Sequence, residues 1–227
     1  MSYRKNDYLL AVILTVFLIS LAVVVAVFEP FIFRIDLELY HLASRAGLAK
    51  DVVLANYDSL IDYQSLFHTG ELVLPDFAMS SSGRIHFREV KDIFVIIQLA
   101  TIVTGLASMT GVVWRLRCRE YRFLNLTSYL VVIIPSMIGI VAIGNFDRAF
   151  IFFHQLVFNN DYWIFDATAD PVIEILPEEL FFHKFVLIIV LIFVFATLLK
   201  VAYRKFQAKI IRESLVSNNK KTSTTKA

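Results

Sequence analysis

Four long apolar runs divide the chain: Tyr8 to Phe28, Ile93 to Trp114, Phe123 to Gly144 and Phe181 to Leu199. A helix that crosses a bilayer needs about 20 mostly apolar residues, and each run reaches that length. The first run is too long for the apolar core of a signal peptide and lacks a small-residue cleavage site, so it predicts a retained helix. The expected fold is an all-α membrane protein in a single integral domain over residues 1–227. Its four transmembrane helices would carry a small extracytoplasmic subdomain of helices and short strands.

The polar stretches between the runs are residues 29–92 and 145–180. In the first, "DVVLANYDSLIDYQSL" sets Val53, Leu54, Tyr57, Leu60, Ile61 and Leu66 at near-helical spacing behind Asp51, a candidate N-cap. "GELVLPDF" alternates like a short strand and "SSSGR" reads as a turn. The segment is too small for a core of its own, which predicts packing onto the bundle and the membrane surface. In the second stretch Arg148 and His154 bracket a run of Phe and Ile, Tyr162 and Trp163 suit the headgroup belt, and Pro171 and Pro177 interrupt the path to the last run. The end of the chain, residues 215–227 with "SNNKKTSTTKA", is polar and predicts a disordered cytoplasmic tail.

Composition agrees with a membrane protein: 58% of residues are hydrophobic and 21 are Phe. The net charge of +2 says little, but its distribution says more. Arg4 and Lys5 precede the first run; Arg115, Arg117, Arg119 and Arg122 fill the short second connection; Lys200, Arg204, Lys205, Lys209 and Arg212 follow the fourth run. Both longer connections are acidic. Lys and Arg near helix ends mark the cytoplasmic side, which predicts two cytoplasmic termini and two outward-facing acidic segments. Cys118, the single cysteine, lies in the Arg-rich connection and reads as a spare reduced thiol. No nucleic-acid partner is expected.

All five histidines (His41, His68, His86, His154 and His183) fall in or beside the outer segments. Histidine moves protons near neutral pH better than any other side chain. His86 sits just before the second run and His154 shortly after the third, so both belong near one depth at the outer headgroup level. A polar membrane anchor is the alternative reading of each. A metal site would want three or more ligands, and neither H-E-x-x-H nor a close His/Cys cluster occurs. G-x-S-x-G is absent. The apolar runs hold no ionisable residue near a midplane, so a buried ion path is not expected. Gln98, Thr101 and Thr104 read as ordinary polar residues between helices.

At this point the residues carry a family likeness. "HQLVFNNDYW" followed by "DATADPVIEILPEELFF" resembles the H-x-x-x-F-x-N-D-x-W…D-P…I-x-x-L-P-E-x-x-F-F pattern of the lipoprotein intramolecular transacylase family. "SGRIHFREVKD" is similar to a second block of that family, with Glu89 where Asp is expected, and "ANYDSLIDY" is similar to its tyrosine-containing helix. The resemblance implies an enzyme of the bacterial plasma membrane, working at the outer leaflet on diacylated lipoproteins among membrane lipids. It would move an acyl chain from the sn-2 position of the diacylglyceryl group to the α-amine of the N-terminal cysteine, without cofactor or metal. The family's two functional histidines match His86 and His154. Asn160, Trp163 or backbone amides are candidates to hold the oxyanion, Asp161 and Glu89 to orient a histidine or the substrate amine, and Tyr57 to support the site. The aromatic residues suit a cradle for the acyl chain. Two further readings are a non-catalytic four-span docking subunit and a metal-dependent membrane hydrolase.

Overall fold

The computed structural model describes residues 4–224 and, within them, all side chains except those of residues 134, 141, 143 and 218–224. The regular structure among these residues is helical: α1 (Lys5–Phe28), α2 (Phe31–Leu39), α3 (Leu42–Arg45), α4 (Lys50–Tyr63), α5 (Ser81–Arg117), α6 (Arg122–Gly144), α7 (Phe146–Val157), a 3-10 turn (Pro171–Ile175) and α8 (Glu178–Thr224). Four of them, α1, α5, α6 and α8, are long and apolar enough to cross a membrane, and they are the expected four spans. Helix α1 packs against α5, α6 and α8, and α6 against α8. Leu10, Leu14, Leu18, Phe123, Leu124, Val131 and Ile192 form the core of the bundle. Large apolar side chains such as Ile96, Val103, Leu106, Ile140 and Leu198 point outward, as a surface solvated by lipid requires.

Two spans run beyond their apolar stretches. Helix α5 begins at Ser81, and its first turns stand clear of the apolar run that starts at residue 93. The "SSSGR" stretch is therefore the start of this helix, not a turn. The Ser80 hydroxyl caps it by accepting the Gly83 N–H at 2.9 Å, which satisfies one of the donors that a helix start leaves open. Helix α8 carries on to Thr224, where a disordered tail was expected from residue 215, because the sequence after Glu178 contains no Gly or Pro to stop it. Residues 225–227 of that expected tail lie outside the described residues.

At the end of the bundle away from the termini, helices α2, α3 and α4 and the two long connections form a cap. Neither segment makes a core alone. Phe33, Leu37, Val53, Tyr57, Leu60, Leu72 and Leu74 of the first pack with Val172, Ile175 and Leu176 of the second, and Phe87 of α5 and Leu180 of α8 join them. Asp51 does not cap α4: Ala49 holds that position and Asp51 lies in the first turn, where a carboxylate suits the helix dipole. "GELVLPDF" is not a strand. Leu72 and Leu74 are buried and Val73 is exposed, which explains the period-2 pattern. The stretch is held by side chains, with Asn56 Nδ2 donating to Asp76 at 2.8 Å and Asp76 N–H donating to Asn56 Oδ1 at 3.2 Å.

The cap is fastened to the bundle by polar contacts. Buried Asp36 of α2 meets His183 Nδ1 of α8 at 2.9 Å. Lys184 donates to the Glu29 carboxylate at 2.8 Å and to its carbonyl at 2.6 Å, while the same carboxylate accepts the N–H groups of Phe31 and Ile32 at the start of α2. Gln98 does more than join helices. Its Nε2 donates to the Gln64 carbonyl at 2.9 Å and its Oε1 accepts the Leu66 N–H at 3.1 Å, which satisfies loop backbone beside the apolar span.

At the other end Arg4 pairs with Glu120 at 2.7 Å and Arg119 with Glu213 at 2.7 Å, so the start of α1, the α5–α6 connection and the part of α8 around Glu213 lie together. The buried members of this network are Asp7 and Arg115, and Arg115 bridges Asp7 and Glu120. Removing one partner of a buried pair costs about 3–5 kcal/mol, because the other charge stays buried alone. Arg115→Leu is therefore expected to lower the thermal unfolding midpoint in detergent markedly. The double variant Asp7→Leu with Arg115→Leu should recover most of the loss, and equal losses in the single and double variants would contradict this account.

Candidate active site

Helix α5 and helix α7 deliver the two histidines. His86 lies in the second turn of α5, ahead of the apolar run, and His154 lies in the last turn of α7. Helix α7 is amphipathic: Ile151, Phe152, Phe153 and Leu156 are exposed while His154 faces inward. The Asn145 side chain caps it by accepting the Arg148 N–H at 3.0 Å. The two imidazole centroids are 5.9 Å apart and tilted by 38°, and only 5% of His86 and 8% of His154 are exposed.

Aromatic rings close the space around them. Phe158 touches both imidazoles, at 4.8 Å from His86 and 5.5 Å from His154. Phe165 lies 5.5 Å from His86. Phe150, Phe153 and Trp163 lie 4.2, 5.4 and 4.9 Å from His154. Phe146, Phe181, Phe182 and Phe185 extend the aromatic wall from α7 to the start of α8.

This enclosure sets the protonation of the pair. Burial pushes His86 down to about 4, and the neighbouring His154 adds to the fall. Burial lowers His154 as well, and the Phe150 carbonyl opposes the shift. Charging an imidazole in an apolar site costs more than in water, so both rings are neutral near pH 7. His154 Nδ1 donates to the Phe150 carbonyl at 2.8 Å. A carbonyl can only accept, so the proton of the neutral ring is on Nδ1 and the basic lone pair on Nε2. Nδ1 of His86 is buried without a hydrogen-bond partner.

Three of the remaining expected site residues join the pair. Asn160 donates to Glu89 Oε1 at 2.9 Å, and the Asn160 carbonyl accepts the Trp163 Nε1–H at 3.1 Å. Glu89 Oε2 is buried and unpartnered. Two do not join it. Asp161 is exposed, and its carbonyl closes a local turn with Ile164. Tyr57 stacks on Phe33 at 3.5 Å in the core of the cap, beside a cavity of about 300 Å³ that it lines with Glu29 and Asp58. Among the described residues no group of three or more His, Cys, Asp or Glu is placed to hold a metal. Cys118 is exposed at the far end of α5.

Reading along the sequence did not find Asp170, which locks the site from behind. Its carboxylate accepts the Ser80 N–H and the Ser80 hydroxyl, each at 2.7 Å. A Cβ on Gly83 would collide with the Asp170 carboxylate and stand 3.2 Å from the Phe165 ring, so a glycine here leaves room for the clamp. The clamp holds Phe165, four residues before Ala169, against the turn that carries His86. Its traces in the sequence are the D-P of the family pattern, which falls on Asp170 and Pro171 without saying what the carboxylate does, and a serine three residues before a glycine, a helix-start pattern.

Residues 8–182 match the family model described as lipoprotein intramolecular transacylase Lit. The solved membrane-integral lipoprotein intramolecular transacylase Lit from Bacillus cereus is 33% identical, covers 91% of this chain and 98% of its own, and superposes with a TM-score of 0.86. Two variants of that protein, with a histidine replaced by arginine or by alanine, superpose at 0.81 and 0.83, with 33% and 32% identity, over 91% of this chain and 94% of theirs. No curated protein matches the chain. With the family model covering most of the chain, this protein belongs to the lipoprotein intramolecular transacylase family and is a multi-pass membrane transacylase.

Proposed function

We propose that the protein moves an acyl chain from the sn-2 oxygen of a diacylglyceryl lipoprotein to the α-amine of its N-terminal cysteine, with His86 and His154 as its catalytic residues. The observation that carries this reading is the pairing of two buried, neutral imidazoles from different helices inside an aromatic enclosure. In the reaction the amine nitrogen attacks the ester carbonyl carbon and the carbon–oxygen bond to glycerol breaks. One proton leaves the nitrogen and one arrives on the glycerol oxygen, so the products are an amide and a free hydroxyl. His154 Nε2 is suited to accept the first and return it as the second, and His86 to hold the amine. Positioned acid–base catalysis contributes about 10²–10⁴-fold.

Nucleophile and ester belong to one substrate, and holding them together can give effective molarities up to about 10⁵–10⁸ M. No protein nucleophile is needed, which suits the placement of Cys118. In this reading nearby backbone N–H groups and the second N–H of Asn160 Nδ2 steady the oxyanion, Trp163 braces Asn160 through its Nε1–H, and the Phe residues of α7 and α8 receive the acyl chain. Asp161 and Tyr57 support the loop and the cap. The Lys and Arg distribution supports cytoplasmic termini and a site at the outer leaflet of the bacterial plasma membrane.

Two experiments test this. Groups that act as a unit are non-additive, so His86→Ala and His154→Ala should each nearly abolish lyso-form product, and the double variant should lose little more. The measurement is mass spectrometry of the N-terminal peptide of a co-expressed diacylated lipoprotein, in a host without other N-acylating enzymes. Wild-type conversion by both single variants would sink the mechanism. For topology, an impermeant thiol reagent on intact cells should label a cysteine introduced at Asp166 and should reach Cys118 only after permeabilisation. The reverse pattern would put the site on the wrong side.

A further inference from the structure

Glu89 lies three residues after His86, on the same face of α5. The two oxygens of its carboxylate have different fates. Oε1 accepts from Asn160 Nδ2 at 2.9 Å, whereas Oε2 is buried and has no partner. The rest of Asn160 is already committed: its carbonyl accepts Trp163 Nε1–H and its Oδ1 accepts the Tyr162 N–H at 3.0 Å. Of the two nearest cations along α5, Arg88 is exposed, and Lys91 is turned away, donating to the His68 carbonyl at 3.0 Å and lying 4.2 Å from the Tyr63 ring centroid.

A buried carboxylate oxygen without a donor is costly to maintain, and each such group in a native fold calls for a partner. One turn earlier His86 Nδ1 is also buried and unpartnered. The fold thus leaves open one anionic acceptor and one neutral nitrogen beside the reacting pair, which suits a group with several N–H donors and a positive charge. Asp161, the carboxylate next to Asn160 in the loop after α7, is exposed and offers no such setting.

We propose that Glu89 Oε2 receives the protonated α-amine of the substrate's N-terminal cysteine, and thereby selects lipoproteins with a free amine over those already N-acylated. This rests on the transfer reaction proposed above. An N-acylated substrate brings an uncharged amide with one N–H, which leaves the buried carboxylate without its counter-charge. A site built to hydrogen-bond one group rejects an analogue that lacks it, because its own polar atoms are then stranded. Before the attack the ammonium gives its surplus proton to the open His86 nitrogen, which passes it to water, and the neutral amine left on Glu89 is the nucleophile; Glu89 acts in recognition and takes up no proton itself.

The test uses the full-length protein in detergent micelles and two diacylglyceryl-cysteine peptides with ether links in place of the esters, so that no acyl group can move. One peptide has a free α-amine and the other is N-acetylated. The wild type is expected to bind the free-amine peptide about ten- to a hundredfold more tightly, the range for a hydrogen bond to a charged group. Glu89→Gln preserves the acceptor for Asn160 and should lose the preference, with its affinity for the N-acetylated peptide unchanged. Equal binding of both peptides by the wild type, or an undiminished preference in Glu89→Gln, would overturn the proposal. If Glu89→Gln binds neither peptide, Glu89→Asp decides: a preference kept there supports the carboxylate, and equal binding overturns it. An ester-linked substrate separates the two ideas. Preference without transfer sinks the reaction reading, and transfer without preference sinks the role of Glu89.

Discussion

The surplus length of α5 is the constraint on which the rest depends. At about 1.5 Å per residue a helix of 37 residues spans about 55 Å, against a hydrocarbon core of about 30 Å. Its first turns must stand in the cap, and there they hold His86, Phe87 and Glu89. Phe87 enters the shared core of both outer segments, and Gly83 and Ser80 meet Asp170. One continuous helix therefore connects the buried Arg115–Asp7 network at one end to the histidine pair at the other. A helix does not shorten without losing backbone hydrogen bonds, so the depth of His86 is set by the register of the span. That rigidity gives the site a reference position that a loop could not supply.

Around this fixed face the cap closes from two sides, and the closing elements are held by specific contacts. Helix α7 reaches the site from α6 with an apolar outer face and an inward histidine. The loop after it is tied through Asn160 to Glu89 and through Asp170 to Ser80. Both ties end on α5. The aromatic rings between them exclude water, and the loss of water lowers both histidines. The packing of Phe158 and Phe165 and the protonation state of the pair are thus one property of the enclosure. A ring removed to make room for substrate would also let the imidazoles charge more readily.

Legibility in the sequence followed the physics of each feature. The spans were readable because a bilayer demands length and apolarity in one continuous stretch, and α1, α5, α6 and α8 satisfy it. His86, His154, Asn160, Trp163 and Glu89 were readable as a group through short motifs that preserve their local spacing. The extension of α5 was hidden because "SSSGR" has the residues of a turn, and only the fold shows Ser80 as a cap. "GELVLPDF" has a strand's alternation, yet its partners are Asn56 and the cap core, which lie far away along the chain. Tyr57 and Asp161 fall outside the group, since proximity in sequence or in a motif does not say which way a side chain is packed. Asp170 was missed for the same reason, its partners being 87 to 90 residues away.

A transacylase whose two reacting groups sit on one substrate asks little covalent chemistry of the protein, and the distribution of reactive groups here is consistent with that. The one thiol lies at the opposite end of α5 from the histidines. The pair itself is held by one backbone carbonyl and by aromatic contacts, without the carboxylate that usually raises a histidine's basicity. Neutral imidazoles are weaker bases than carboxylate-paired ones, but they can accept a proton and return it without first losing one. In the reaction proposed above, which relocates a proton from nitrogen to oxygen, that reversibility matters more than basicity. The fold accordingly invests its strong polar contacts in position, at Asp170, Glu89 and Asp36, and leaves the imidazoles in an apolar setting where their charge is costly in either helix. Rate would then come from the geometry of the folded-back substrate, with the aromatic walls excluding the water that would otherwise compete for the ester.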